Sequence, residues 1–152
     1  MNELISNSID LLKDLIEIES FSFNESKTGN RIEKWFISND IKFKRNKNNV
    51  FAFNKFYNSA KPTILLNSHH DTVKPNKGYN NDPFKSKIEN GKLYGLGSND
   101  AGGSLVSLIA VFTYYYNRQD LKYNLIILAS AEEECSGENG IASIIPTLPK
   151  ID

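Results

Sequence analysis

The two histidines of the chain, His69 and His70, stand side by side directly before Asp71. They follow an apolar run, 63–68, of the kind that forms a buried strand. Because alternate residues of an extended segment point to the same side, His69 and Asp71 can converge while His70 faces elsewhere. A carboxylate beside a histidine fixes the tautomer of the ring and raises its basicity, as in metal sites. A histidine satisfied by a neighbouring acid, without a metal, is an equal alternative for this cluster alone.

A glycine-rich segment, 95–103, contains Asp100 just ahead of a long apolar run. A glycine-rich turn before a helix can cradle phosphate. This segment lacks the Gly-Lys-Ser/Thr of a P-loop and the context of a dinucleotide fingerprint, and its acid would repel phosphate. Glycines that let the backbone pass close to a cation, with Asp100 as a ligand, fit better. A purely structural turn is the alternative.

Three consecutive acids, Glu132, Glu133 and Glu134, follow a second apolar run, 123–130. Three carboxylates at the mouth of a sheet repel one another and lose hydration unless a cation is present. An isolated acid run is more often an exposed loop, and that alternative stands for this cluster alone. All three clusters fall at one edge of the predicted fold, and their imidazole and carboxylate groups together suit zinc, cobalt or manganese.

The rest of the chain supplies the elements that must position these clusters. Apolar spacing predicts an opening amphipathic helix, and Ser22 with Glu25 has the spacing of a capping box for a second helix. Asn90-Gly91 between two apolar-bearing arms predicts a hairpin. The remaining predicted elements are a strand at 50–54, a buried strand at 63–68, a helix from Ser104 buried on nearly all sides, a buried strand at 123–130 and a short helix stopped by Pro146. The stripe of the opening helix is Ile5, Ile9, Leu12 and Ile16.

Buried strands separated by helices predict an α/β fold, with a mixed, mostly parallel sheet and helices on both faces. In such sheets ligands bind at the carboxyl ends of the strands, which is where His69 and Asp71 stand. The 152 residues correspond to one domain's worth of chain.

Composition excludes several classes of protein. Lysine plus arginine balance aspartate plus glutamate at 18 each, so no net field favours nucleic acid or an anionic membrane. The basic segment 42–55 is interpreted as a solvated surface. Cys135 is the only cysteine, which rules out an internal disulfide framework and suits a reducing compartment. The acids near the N-terminus do not fit a signal peptide, and no apolar run approaches the roughly 18 residues of a membrane span. We therefore expect a cytoplasmic protein.

The segments HHDTV, LYGLGSNDAGG and SAEEE, in this order and spacing, resemble the dinuclear zinc amidohydrolases of the M20 metallopeptidase family. The resemblance is strongest to the branch of acetylornithine deacetylase and succinyl-diaminopimelate desuccinylase. It implies that residues 1–152 are the N-terminal part of a catalytic domain, with the lid and dimerisation domain and the rest of the catalytic domain absent. It also implies two divalent metal ions, zinc or else cobalt, and homodimers of the full-length protein.

By position, the resemblance implies metal ligands at His69, Asp100 and Glu134. Asp100 would bridge the two metals and be followed by a cis peptide bond. The implied catalytic residues are Asp71, which keeps the site in orientation, and Glu133, the general base. Because the run has a third acid, Glu132 and Glu133 are the alternative pair; in the first register Glu132 is a solvated flank. Where many members of the family have a lysine, this chain has Gly102.

The implied activity is removal of an acyl group from a small N-acyl amino acid, such as N-acetylornithine or N-acetylcitrulline, in arginine biosynthesis. Two alternatives stay open: a non-catalytic remnant or partner of a separately encoded remainder, and an aminopeptidase or carboxypeptidase acting on peptides. Since the family needs further ligands beyond residue 152, we expect the chain alone to bind metal weakly and to show no useful turnover.

Overall fold

A computed structural model describes residues 2–152, which contain four α-helices and six β-strands. The helices are α1 (Asn2–Ile16), α2 (Ser26–Ser38), α3 (Gly103–Tyr115) and α4 (Ile141–Ile144), and the strands are β1 (Phe43–Asn46), β2 (Asn49–Phe53), β3 (Thr63–His69), β4 (Lys87–Glu89), β5 (Lys92–Tyr94) and β6 (Asn124–Ser130). Of the helices in this part of the chain, none has the length and apolarity to cross a bilayer.

The predicted opening helix is confirmed as α1, but its buried face is rotated from the expected stripe. Leu11, Leu12, Leu15 and Ile16 are buried, while Ile5 and Ile9 are 53% and 41% exposed. Residues four apart lie on one face of a helix. Leu11 and Leu15 are such a pair, and they pack in the core that α1 shares with α3. The last two turns of α1 therefore carry its packing.

Strands β1, β2, β6 and β3 form one sheet, in that order across it. The sheet is mixed, as predicted, but only β3 and β6 pair in parallel, and β1–β2 and β2–β6 are antiparallel. The prediction of a mostly parallel sheet is therefore wrong for the described residues. The turn Lys47–Asn48 is too short for a crossover, so β1 and β2 must be antiparallel, whereas α3 provides the long connection that a parallel pair needs.

Helices cover both faces of the sheet, as expected, but unequally. The main core lies between the sheet and the three long helices, α1, α2 and α3. On the opposite face the short α4 packs through Ile144 against Phe51 and Leu128. Strand β6 lies between two other strands and under both layers, and each of its seven residues is buried. The site therefore rests on a rigid central strand.

Two local predictions are confirmed and one is too strong. Strands β4 and β5 form the hairpin around Asn90 and Gly91, both with positive φ (51° and 73°). Helix α3 begins within one residue of the predicted start. It is not buried on nearly all sides, however, because Val111 and Tyr114 are 44% and 47% exposed.

The predicted capping box of α2 is wrong. The helix begins at Ser26, and Glu25 at its N-cap makes no side-chain capping hydrogen bond. Instead, the Ser22 hydroxyl donates to the carboxylate of Asp71, and the carboxylate of Glu25 accepts from the N–H of Glu132. Both side chains therefore bind residues that are distant along the chain. The segment 20–25, here named the α1–α2 connector, links the helices to the ends of β3 and β6.

Strand β3 forms one of the two edges of the sheet, and Ile64 on it is 41% exposed, so the prediction of a buried strand at 63–68 is wrong. At the start of this edge the N–H of Asp152 donates to the carbonyl of Thr63 at 3.0 Å. The carboxylate of Asp152 accepts from the N–H of Thr63 at 3.1 Å. Residue 152 therefore lies alongside β3.

Candidate metal centre

The parallel pairing of β3 and β6 brings two polar clusters to one end of the sheet. His69 pairs with Ser130 in the register, so the segments that follow both strands leave the sheet at the same level. A kinked turn, Ser98–Gly102, brings Asp100 to the same place at the start of α3. The three clusters that the sequence separates by tens of residues therefore meet.

Four ionisable side chains converge here. Candidate ligand atoms of His69, Asp100 and Glu134 all lie within 4.8 Å of one another. The Nε2 atom of His69 is 3.1 Å from Oδ1 of Asp100 and 3.6 Å from Oε2 of Glu133. The histidine is buried, whereas Asp100 and Glu133 face solvent. The cluster is thus open on one side and walled by protein on the other.

Asp71 is buried at the centre of the hydrogen bonds that hold this cluster. Its carboxylate accepts from the Ser22 hydroxyl at 2.7 Å and from the N–H groups of Glu133 and Glu134, each at 3.1 Å. The Nδ1 atom of His69 lies 3.0 Å from the Asp71 carbonyl and 3.3 Å from its carboxylate. Because both oxygens accept, Nδ1 carries a proton, and Nε2 is the nitrogen that faces the other acids.

His70 faces away from the cluster, as the strand alternation predicts. Its Nε2 donates to the carbonyl of Asn48 at 3.0 Å, and its Nδ1 lies 2.8 Å from the hydroxyl of Thr28. Burial lowers the pKa of His70 to about 4, so the ring is neutral. The two adjacent histidines therefore differ in role: one faces the acids and the other ties β3 to α2.

The glycine-rich segment approaches the site closely and includes an unusual peptide bond. The bond between Asp100 and Ala101 is cis, as the resemblance implies. Gly97 has φ of 74°, and a β-carbon there would lie 2.7 Å from Cγ2 of Thr72. A β-carbon on Gly102 would lie 2.7 Å from the carbonyl oxygen of Gly97, so the local packing leaves no room for a side chain at this position.

The expectation that Glu132 is a solvated flank is wrong. Glu132 is 5% exposed, and its carboxylate accepts from the N–H and the side-chain amide of Asn139, each at 3.0 Å. Its φ of 55° turns the chain so that the next two residues, Glu133 and Glu134, reach the cluster. Glu132 thus stabilises the turn that carries the other two acids.

The electrostatics of the cluster favour a bound cation. The hydrogen bond to Asp71 is the main cause that raises the pKa of His69 to about 9, although burial opposes it. Burial would raise the pKa of Asp71, but His69, Ser22 and two backbone N–H groups together lower it to about 2. Burial, followed by the charge of Asp100, raises the pKa of Glu134. Crowded carboxylates around an imidazole nitrogen fit a divalent metal ion, which would take the place of the proton on that nitrogen and relieve this repulsion.

The raised pKa of His69 gives a pH prediction for the metal-free protein. Protonated His69 stabilises the fold, so its contribution is fully present below the unfolded-state pKa of 6.5 and is lost as the pH rises through about 9. We expect the free energy of unfolding to fall by up to about 3 kcal/mol from about pH 6 to about pH 9.5. Urea unfolding in the presence of a chelator measures this. The variant His69→Gln should flatten the profile, and an equally steep profile in that variant would contradict the assignment.

An open cleft of about 290 Å³ lies beside the acids. Its lining includes Asp100 and Glu134, together with Val73 and Tyr79, which are 53% and 40% exposed. A small molecule in this cleft would contact the cluster directly.

Comparisons with known proteins identify the family of the chain. The model of peptidase family M20/M25/M40 matches residues 65–152, the segment that contains all three clusters. The chain belongs to peptidase family M20/M25/M40. The M20 resemblance seen in the sequence is thereby confirmed, and the members that it matches carry names of hydrolases.

Two curated relatives illustrate the range of the family. Succinyl-diaminopimelate desuccinylase of Wigglesworthia glossinidia brevipalpis is 32% identical over 95% of this chain and 39% of its own length. Cysteinylglycine-S-conjugate dipeptidase of Corynebacterium striatum is 28% identical over 59% of this chain and 20% of its own. The chain spans about two fifths of the length of the first of these relatives.

Solved M20 structures share the fold. The YXEP protein of Bacillus subtilis, described as a dinuclear metal binding peptidase from the M20 family, superposes with a TM-score of 0.70 at 20% identity, over 96% of this chain and 40% of that one. Human carnosine dipeptidase 1 gives a TM-score of 0.72 at 18% identity, over 91% of this chain and 34% of that one. The α/β architecture is therefore that of M20 peptidase domains.

Sequence reasoning misses the residues that support the cluster from behind. Local spacing assigns Ser22 and Glu25 to a helix cap and Glu132 to solvent, yet all three hold the segments around the site. Apart from the N–H of Phe23 and Asn139, their partners lie far away along the chain, so local spacing carries no signal for them.

Proposed function

We propose that the chain is the N-terminal part of the catalytic domain of a metal-dependent amide hydrolase that acts on N-acyl amino acids. The observation that carries the proposal is the convergence of His69, Asp100 and Glu134 within 4.8 Å, with Glu133 beside them. An imidazole and several carboxylates around one point are the ligands expected of zinc hydrolases. Membership of the M20 family supports the same reaction class.

In this proposal His69, Asp100 and Glu134 would hold divalent metal ions, zinc or else cobalt. The likeness to the YXEP protein of Bacillus subtilis, a dinuclear metal binding peptidase, supports two ions. Bound zinc supplies Lewis acidity at the amide carbonyl and lowers the pKa of water. Because Asp71 holds Nδ1 of His69, the other ring nitrogen, Nε2, faces the acids and is placed to bind a metal ion.

The proton transfers belong to Glu133. Its carboxylate is 3.6 Å from Nε2 of His69 and about half exposed, so it faces both the cluster and solvent. As general base it takes a proton from the attacking water, and it then gives that proton to the leaving nitrogen as the C–N bond breaks. Asp71 keeps His69 in orientation and fixes the backbone of Glu133 and Glu134. The products are a carboxylate and a free amino acid.

The acyl group and the amino acid are the finer part of the proposal. The likeness of NSHHDTVKP to the acetylornithine or acetylcitrulline type supports N-acetylornithine or N-acetylcitrulline as the substrate, and hence a place in arginine biosynthesis. Several curated relatives are named succinyl-diaminopimelate desuccinylase, which adds N-succinyl-diaminopimelate as a substrate to compare directly. A dipeptidase is the second candidate, favoured by the Corynebacterium striatum relative and by the fold of human carnosine dipeptidase 1.

One set of assays tests these assignments. The full-length form, loaded with zinc or cobalt, is offered N-succinyl-diaminopimelate, N-acetylornithine, N-acetylcitrulline and a panel of dipeptides, and release of free amine is followed. We expect hydrolysis of an acyl amino acid that stops on chelation. Preference for dipeptides would favour the second candidate. Metal binding without hydrolysis of any of these would favour the non-catalytic alternative. Gel filtration of the same sample tests the proposed homodimer.

A further inference from the structure

Glu25 is a fully buried acid in the α1–α2 connector, outside the cluster of candidate ligands. Its side chain is 0% exposed. One carboxylate oxygen accepts from the N–H of Phe23 at 2.8 Å and from the N–H of Glu132 at 3.1 Å. The other accepts from the side-chain amide of Asn48 at 2.8 Å. A buried carboxylate loses its hydration, so hydrogen bonds from these three neutral donors must stabilise its charge.

The two backbone donors to Glu25 share an unusual conformation. Phe23 has φ of 75° and Glu132 has φ of 55°, both in the left-handed region that residues other than glycine seldom adopt. Such conformations persist where the surrounding structure fixes them, and they concentrate at functional sites. A single oxygen of Glu25 therefore holds two left-handed turns, one in the connector and one at the start of the acid run.

The turn at Glu132 leads directly to the candidate base, Glu133, and the candidate metal ligand, Glu134. The N–H of Glu132 donates to Glu25, and the next two N–H groups, of Glu133 and Glu134, donate to Asp71, all at 3.1 Å. Two buried carboxylates thus hold three successive backbone groups. The connector reaches both of them, since Ser22 in it donates to Asp71. The direction in which the side chains of Glu133 and Glu134 leave the backbone is set by these contacts.

We propose that Glu25 is a positioning residue of the hydrolase: acting through the backbone of Glu132, it aims Glu133 and Glu134 at the cluster. This inference rests on the proposed function for its catalytic consequence. The negative charge is required, because all three groups around the carboxylate are donors. Glutamine has the same shape, but its amide nitrogen would meet either Asn48 or the two backbone N–H groups, donor against donor.

The first test is amide hydrogen exchange, which needs neither metal nor substrate. In Glu25→Gln we expect the N–H groups of residues 132–134 to exchange about tenfold faster, the ratio that loss of one hydrogen bond to a charged group gives. The matched control is Glu138→Gln, the same substitution at an exposed position in the same loop, which should leave them unchanged. Unchanged exchange at residues 132–134 in Glu25→Gln would overturn the proposal.

A second variant covers the case in which Glu25→Gln loses the whole fold and exchanges quickly throughout. Asn48→Ala removes one donor to Glu25 and leaves its charge and backbone contacts in place. We expect a smaller acceleration, of about threefold, confined to the same three amides. If exchange at residues 132–134 does not change in Asn48→Ala while Glu25→Gln is unfolded, the positioning role is refuted.

The second test concerns catalysis by the zinc-loaded full-length form. Glu25→Gln should lower kcat about tenfold with KM changed less than about twofold, because misaligned acids affect the chemical step more than substrate binding. A merely structural role would lower the amount of folded enzyme and leave the kcat of the folded fraction unchanged, and that result would overturn the proposal. If the wild type hydrolyses no amide at all, the proposed function fails, while the exchange experiment still decides whether Glu25 holds the turn.

Discussion

Glu133→Ala is expected to lower kcat of the zinc-loaded full-length form by roughly 10²- to 10⁴-fold while the bound metal is retained. The carboxylate of Glu133 is half exposed beside His69 Nε2, and Glu134, not Glu133, belongs to the group of atoms within 4.8 Å of one another. Removal of this carboxylate should therefore impair proton transfer without removing a metal ligand. Steady-state kinetics and metal analysis of the same sample measure both quantities.

The neighbouring acids provide the controls for this prediction. Glu134→Ala should lose metal as well as activity, because its carboxylate lies among the candidate ligand atoms. Glu138→Ala, in the exposed part of the same loop, should retain both. Normal turnover in Glu133→Ala would refute the assignment of the general base.

Asp71→Ala should have the largest effect on the metal-free fold. The side chain is fully buried, and its removal leaves the Ser22 hydroxyl and the N–H groups of Glu133 and Glu134 without their acceptor. It also takes the carboxylate away from His69, whose ring keeps only the main-chain carbonyl of residue 71. Breaking a buried set of charged hydrogen bonds from one side costs about 3–5 kcal/mol. We expect a loss of that size in the free energy of unfolding, measured by urea denaturation at neutral pH.

The same variant should weaken metal binding. Loss of a carboxylate behind a ligating histidine lowers metal affinity by about 10- to 100-fold, and titration with zinc measures this where the variant stays folded. Asp10→Ala, on the exposed side of α1, is the control and should change the unfolding free energy by less than about 0.5 kcal/mol. A loss below about 1 kcal/mol in Asp71→Ala would show that the buried contacts of this carboxylate are dispensable.

The sequence predicts which residues form the cluster better than it predicts which residues hold them in position. Strand alternation is a local property, so the opposite directions of His69 and His70 could be inferred from two adjacent residues. The position of Asp100 before a long apolar helix could be inferred in the same way. Glu132 could not, because its burial depends on a turn that closes on Asn139 and on the N–H contact with Glu25. Patterns along the chain do not record contacts of that range.

Two errors of interpretation have different physical origins. The spacing of Ser22 and Glu25 is that of a capping box, but both side chains gain stronger partners in Asp71 and Glu132, and tertiary contacts override the local preference. The apolar runs around Leu65 and Ile127 indicate a parallel pair, which is correct for β3 and β6. That inference does not extend to β1 and β2, whose short turn determines their direction.

The register of β3 against β6 has a consequence for how the protein can misfold. Successive side chains of a strand point to opposite faces, so a slip by a single residue would exchange the places of His69 and His70. The ring now held by Thr28 would then confront Asp100, and the one held by Asp71 would be driven toward α2. Metal binding at this site would therefore depend on the correct alignment of β3 with β6. A protein that is compact but has these strands misaligned would fail to bind zinc.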